Sequence, residues 1–171
     1  HVFSDADEPA AASLAARIAA QGVFVATTLV HLDGLLAANP GGPNSLAAAM
    51  VATRAMREAG VPLLAETDAN PFAPVHGEST HRELELLVLA GLAPTEALAA
   101  ATSLPALHFG LSDRGRVAPG LAADVVLVDG DPTTDITATQ AVAGIWRRGT
   151  RLPSPPTDPI TTTRTDVRPR S

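Results

Sequence analysis

The sequence contains no cysteine, so a disulfide framework and a thiolate metal site are both excluded. Any metal would therefore have to bind His, Asp or Glu side chains. Aromatic residues make up only 3% of the chain, and the apolar content is mostly Ala, Leu and Val. Small side chains of this kind suit helices that pack closely on a sheet. With 171 residues and 46% hydrophobic residues, the chain can form a globular domain with its own core.

Positive charge is also scarce, since Lys and Arg together number 12 against 18 Asp and Glu, for a net charge of −6. No basic stripe appears before the last residues, so we expect no nucleic-acid partner. No apolar run approaches the length of a membrane span, and no signal-peptide pattern is present. We therefore expect no membrane partner and a cytoplasmic location. The chain begins with His1 rather than Met, from which we expect a fragment of a longer protein.

Up to Gly110 the chain alternates between helix and strand signals. Residues 23–29 and 61–65 are nearly continuous apolar segments, which is typical of strands buried on both faces. Gly and Pro punctuation and helix-capping patterns predict helices over residues 9–20, 46–59, 80–90, 94–102 and 105–109. This alternation predicts an α/β fold with a parallel sheet.

Beyond Gly110 the pattern changes to β elements alone. Strands are predicted over residues 123–128 and 142–148, with a strand end and turn at 116–120. Because no helix alternates with them, we assign residues 1–112 and 113–152 to separate domains. From residue 153 onward the chain is rich in Pro, Thr, Asp and Arg, which predicts a disordered tail over 153–171.

Asp68 is the most informative single residue. It stands just past the second predicted strand, at its carboxyl end, where functional groups cluster in βα barrels and open α/β sheets. The alternative is that Asp68 only caps a turn before Asn70 and Pro71. The spacing alone does not choose between these two interpretations.

The histidines form no HxH, HxxH or HExxH motif, so the chain carries no self-contained zinc motif. His108 is predicted to be structural, and His31 follows a strand and could face either way. His76 and His81 flank the helix start after Asp68, where a loop position and a first-turn position explain each one without a function.

Two acidic residues on that helix have structural explanations. Glu83 lies three residues after Thr80, which is the spacing of a capping box, and Glu85 is expected to face solvent. Gly41 and Gly42 lack the Lys-Ser/Thr pair of a phosphate-binding loop, so nucleotide binding has no support.

Several ordered segments together resemble the metal-dependent amidohydrolase superfamily, and the imidazolonepropionase-like and dipeptidase-like members most of all. They are residues 60–69 (the last barrel strand, ending in Thr-Asp), 76–84 and 91–102 (the following loop and helices), and 120–128 and 142–149 (strands of the small β domain). Their order and spacing match over roughly residues 1–150. The resemblance implies the carboxy-terminal portion of a (β/α)8 TIM barrel plus strands of a small β-sandwich domain.

The resemblance also implies roles for three residues. Asp68 corresponds to the aspartate that binds the metal and shuttles protons, and His1 to a metal ligand of two-metal members. His76 falls in a loop that often contacts substrate. We thus expect a divalent metal cofactor, with zinc as the expected metal, bound as one or two ions, and a small-molecule substrate. The oligomeric state stays open.

The reaction implied is hydrolysis of a non-peptide C–N bond, in an amide or cyclic amide, by a metal-activated water with Asp68 as proton shuttle. The family's other ligands, an HxH, a Lys or Glu and a further His, are not in this sequence, so we expect this chain alone to be inactive. Alternatives are a dipeptidase or a deaminase of the same superfamily, or a catalytically incompetent barrel remnant. A doubly wound binding domain would need a glycine-rich first turn, which the sequence lacks.

Overall fold

The computed structural model describes residues 8–38, 45–69 and 75–153. The elements are α1 (Glu8–Ala20), β1 (Val25–Thr27), α2 (Leu29–Ala38), α3 (Leu46–Glu58), β2 (Leu63–Ala65), α4 (Glu78–Leu89), α5 (Pro94–Ala101), α6 (Ser103–His108), β3 (Val125–Val128), a 3-10 helix (Ile136–Gln140), β4 (Val142–Arg147) and β5 (Thr150–Arg151). None of the helices in these ranges combines the length and apolar character that a bilayer crossing requires.

Strands β1 and β2 pair in parallel, with Val25 opposite Leu63 and Thr27 opposite Ala65. A parallel pair requires a crossover connection, and here α2 and α3 provide it. The mixed α/β architecture predicted from the alternating pattern is therefore confirmed.

The first strand is shorter than the sequence predicts. β1 ends at Thr27, and Leu29 already begins α2, a helix that the sequence analysis missed. The segment is almost continuously apolar, and such a run has no periodicity that separates a strand from a buried helix. Leu29 and Val30 are buried in the first turn of α2, so the apolar run continues into the core as helix.

A second sheet is antiparallel and has the order β3-β4-β5, with Val125 opposite Trp146. The strand end predicted at residues 116–120 is wrong, because this segment is a bend and turn in which Val117 is 89% exposed. The 3-10 helix was also not predicted. Its Ile136 packs into the same core cluster as α4 and so connects the antiparallel sheet to the α/β region.

The core centres on β2 and α4, where Leu64, Leu86 and Leu87 are fully buried. Helix α1 packs on α3 through small side chains. The buried alanines of this contact are Ala11, Ala15, Ala48 and Ala52.

Candidate active site

The carboxyl ends of β1 and β2 bring two polar side chains together. Asp68 stands three residues beyond β2, and His31 lies in the first turn of α2, just after β1. The His31 Nδ1 atom is 3.7 Å from Asp68 Oδ2, which is longer than a hydrogen bond. The Asp68 side chain is 66% exposed and that of His31 only 25%, so the carboxylate is largely accessible to solvent and the imidazole lies beside it.

The backbone of Asp68 is held in an unusual conformation. Its φ angle is +47°, in the left-handed region that few residues other than glycine adopt, although Asp enters it more readily than most. Such conformations are retained where the surrounding structure fixes them, and they concentrate in turns and at active sites. This backbone conformation, just beyond the end of β2, is compatible with a role for Asp68 in a turn and with a role in an active site.

Glu83 differs most from its sequence interpretation. Helix α4 begins at Glu78 with Gly77 as its N-cap, so Thr80 is already inside the helix and the predicted capping box is wrong. Instead the Glu83 side chain is fully buried behind the ends of β1 and β2. The Thr27 hydroxyl lies 2.7 Å from Glu83 Oε1, and the Val30 N–H donates to Glu83 Oε2 at 2.7 Å.

These contacts make Glu83 the cap of a helix other than its own. The first N–H groups of a helix have no partner within it, and α2 carries no acidic residue in its first turn. The Glu83 carboxylate accepts from the backbone of Leu29 and Val30 and so supplies the missing acceptors. The amino end of a helix also favours a nearby carboxylate.

Burial raises the pKa of Glu83 above its ordinary value of 4.5, although its hydrogen bonds to Thr27, Val30 and Leu29 act in the opposite direction. No cationic side chain is among the hydrogen-bond partners of Glu83 in the part of the chain described. Desolvation of the charged form is therefore the dominant effect.

This shift predicts a pH dependence of stability. Because folding favours the protonated carboxyl, the stabilisation from Glu83 is fully present below pH 4.5 and is lost as the pH rises through the folded-state pKa. We expect the free energy of unfolding of the wild type, minus that of Glu83→Gln, to fall as the pH rises from 4.5. Urea titrations of the complete enzyme and of its Glu83→Gln variant across that range measure the difference, and a difference that grows with pH contradicts the shift.

Of three further residues that the sequence analysis considered, His1, His76 and Glu85, the structure describes His76 and Glu85. His76 lies at the exposed turn before α4, and its contact with substrate stays a prediction. His1 lies outside the described residues. Glu85 is not simply solvated, since its carboxylate pairs with Arg82 and contacts Gln140.

The donor chemistry of Asp68 and His31 suits a divalent metal, because zinc binds carboxylate and imidazole groups. Within residues 8–38, 45–69 and 75–153, however, no three His, Asp or Glu side chains converge as a metal site. The described residues thus fit part of a metal centre and do not complete one.

A cavity of about 210 Å³ lies at the opposite end of β2. Gly60, Val61 and Pro62 line it, together with the Arg57–Glu96 ion pair. Its position at the amino end of the strand makes it a poor candidate, since barrel and open-sheet sites form at the carboxyl ends.

Comparison with known proteins places these features in a family. A profile of the amidohydrolase family matches residues 2–151. An imidazolonepropionase from Deinococcus deserti is 38% identical over 104 residues, which are 58% of this chain and 26% of that protein. An N-acyl-D-glutamate deacylase from Alcaligenes xylosoxydans xylosoxydans is 45% identical over 74 residues, which are 40% of this chain and 14% of that protein. An adenine deaminase from Methanothrix thermoacetophila is 39% identical over 69 residues, covering 40% and 12%. The chain therefore spans only a small part of the length of these curated relatives.

Solved structures agree. A crystal structure of an amidohydrolase superposes with a TM-score of 0.65 at 26% identity. The matched region covers 81% of this chain and 36% of the amidohydrolase chain. The A. niger ochratoxinase superposes with a TM-score of 0.62 at 27% identity, covering 79% and 33%. Here too the chain accounts for about a third of the similar protein.

Proposed function

Since this chain belongs to the amidohydrolase family, we propose that it is the carboxy-terminal part of a metal-dependent hydrolase that cleaves a non-peptide C–N bond in an amide or cyclic amide. The observation that carries the proposal is Asp68, an exposed carboxylate in a left-handed conformation at the carboxyl end of β2, with His31 beside it. The similarity to an imidazolonepropionase and a deacylase supports C–N bond hydrolysis as the reaction class.

In this proposal β1 and β2 are the last two strands of a (β/α)8 barrel formed with residues outside this chain. The parallel pairing with helical crossovers and the superposition on amidohydrolases support this assignment. Residues 113–152 contribute the sheet β3-β4-β5 to a small β-sandwich domain. The disordered tail at 153–171 stays a prediction and, from residue 154, lies outside the described residues.

Asp68 acts as the proton shuttle. Its carboxylate accepts a proton from the attacking water and delivers it to the leaving nitrogen, so one residue serves as base and then as acid. Its exposure leaves room for water and substrate, and it lies three residues beyond the carboxyl end of β2. A divalent metal held by Asp68 and His1, zinc in the first place, would polarise the substrate carbonyl and bring the pKa of a bound water to about 7. His76 would contact the substrate from the turn before α4.

A substrate panel tests this function on the complete enzyme. We expect turnover of an amide, a cyclic amide or an N-acyl amino acid, with loss of turnover after chelation and recovery on adding zinc. Undiminished turnover in a protein shown to be metal-free contradicts the proposal. Turnover of dipeptides alone indicates a dipeptidase, and turnover of an aminopurine alone indicates a deaminase, which the similarity to an adenine deaminase favours as the second candidate. A metal-loaded protein that hydrolyses none of these is the incompetent remnant.

A further inference from the structure

Thr27 is the point at which the two strand ends of the candidate site are joined. Its carbonyl accepts the Glu66 N–H at 3.0 Å, which extends the β1–β2 pairing toward Asp68. Its hydroxyl lies 3.1 Å from the Leu64 carbonyl and 2.7 Å from Glu83 Oε1. Thr27 is itself buried, so these contacts are shielded from water.

From this point the connections lead directly to both site residues. Glu66 is two residues before Asp68, and Val30, whose N–H donates to Glu83, is the residue before His31. Glu83 therefore holds the start of α2 through Val30 and the end of β1 through Thr27. It does so from α4, a third element that contributes neither Asp68 nor His31.

We propose that Glu83 is a positioning residue of the active site: from α4 it caps α2 and fixes the end of β1, and so sets where His31 and Asp68 stand. The proposal rests on the proposed function, in which Asp68 does the proton transfer. Glu83 has no contact with the reacting atoms and acts through Thr27 and Val30. A buried carboxyl costs free energy unless it is hydrogen-bonded. Here its contacts with Thr27 and Val30 hold the end of β1 and the start of α2 together.

The hydrogen-bond geometry indicates which substitutions preserve the bridge. The Thr27 hydroxyl has one hydrogen but two neighbouring acceptors, Leu64 O and Glu83 Oε1. An ionised Glu83 accepts from Thr27 and Val30, so Thr27 shares its one hydrogen between Glu83 and Leu64 O; a protonated Glu83 can instead donate to Thr27, which leaves the Thr27 hydrogen for Leu64 O. Glutamine has the same shape and the same donor and acceptor, so Glu83→Gln should keep the bridge while Glu83→Leu removes it.

The test compares two pairs of variants in the complete enzyme. Glu83→Leu and Thr27→Val remove the bridge, whereas Glu83→Gln and Thr27→Ser retain it. Leu87→Ala, a fully buried position on the same helix, is the control for lost stability alone. The measurements are kcat and KM well below every melting temperature, and the NMR signal of the His31 imidazole, which needs no substrate.

We expect Glu83→Leu and Thr27→Val to lower kcat about 10–100-fold, the effect of a small misplacement of reacting groups, and to shift the His31 signal. Glu83→Gln, Thr27→Ser and Leu87→Ala should keep kcat within about twofold. If Glu83→Leu does not fold, the Thr27 pair decides. The proposal is overturned if the bridge-removing variants match Leu87→Ala in kcat and leave the His31 signal unmoved, or if Glu83→Gln is as impaired as Glu83→Leu. Normal turnover in Asp68→Asn would instead refute the proposed function, and a shifted His31 signal would still support the positioning role.

Discussion

Replacing Asp68 by Asn should lower kcat of the complete enzyme by about 10²–10⁴, the contribution of a positioned acid–base group. Asparagine keeps the shape of the side chain and one oxygen for a metal, but it loses the negative charge and cannot accept a proton. The melting temperature should change little, because the Asp68 side chain is 66% exposed and lies outside the packed core. The measurement is kcat on the substrate that turns over fastest, with the melting temperature recorded alongside.

Two control variants separate chemistry from folding. Asp129→Asn makes the same change at an exposed turn after β3 and should leave kcat and stability unchanged. A His108→Ala variant should lower the melting temperature while changing kcat little, because the centroids of the His108 and Phe24 rings are 5.0 Å apart and the two rings pack together. Near-normal kcat in Asp68→Asn would end the assignment. An Asp68→Asn protein that fails to fold would favour a turn-capping role for Asp68.

The 171-residue chain expressed by itself should aggregate or form a molten state. In the proposed barrel, β1 and β2 are bordered by strands from outside this chain, and in the residues described here their sheet consists of these two strands alone. An isolated pair of strands is marginally stable, and an open edge presents unpaired N–H and C=O groups to other chains.

Size-exclusion chromatography and thermal unfolding of this chain check that expectation. Aggregates, or a broad transition with dye binding to exposed apolar surface, agree with it. A monomer with a sharp, cooperative two-state transition would mean that these strands need no neighbours. Such a result would contradict the assignment of β1 and β2 to an incomplete barrel, which predicts open sheet edges and therefore aggregation.

Periodicity and turn residues predicted the parts of the fold in which local pattern and tertiary packing agree. The parallel pair β1–β2, and the change to strands without alternating α-helices after Gly110, both follow from such patterns. Helix α2 was missed because the nearly continuous apolar run of residues 23–30 passes from β1 into its first turn without a change of pattern, and because Glu83, which caps it, is distant in sequence. Asp68 was predicted as a site residue because its position at a strand end is itself a local signal, and its role stays a proposal.

Glu83 shows why the rest of the site could not be predicted. Its spacing from Thr80 matched a common local motif, and its true partners, Thr27 and Val30, are more than 50 residues away in sequence. One signal was present: Glu83 falls on the same stripe of α4 as the buried Ser79, Leu86 and Leu87. A carboxylate on the buried stripe of a helix requires partners, which only the three-dimensional arrangement reveals. The approach of His31 to Asp68 depends likewise on the pairing of β1 with β2.

The most direct test of the central claim is a crystal structure of the complete enzyme loaded with zinc, with the metal located by its anomalous scattering. The account predicts that the Asp68 carboxylate lies within bonding distance of the metal, at the carboxyl end of β2 and beside His31. A metal bound by other residues, with Asp68 turned away and engaged only in its own turn, would contradict it.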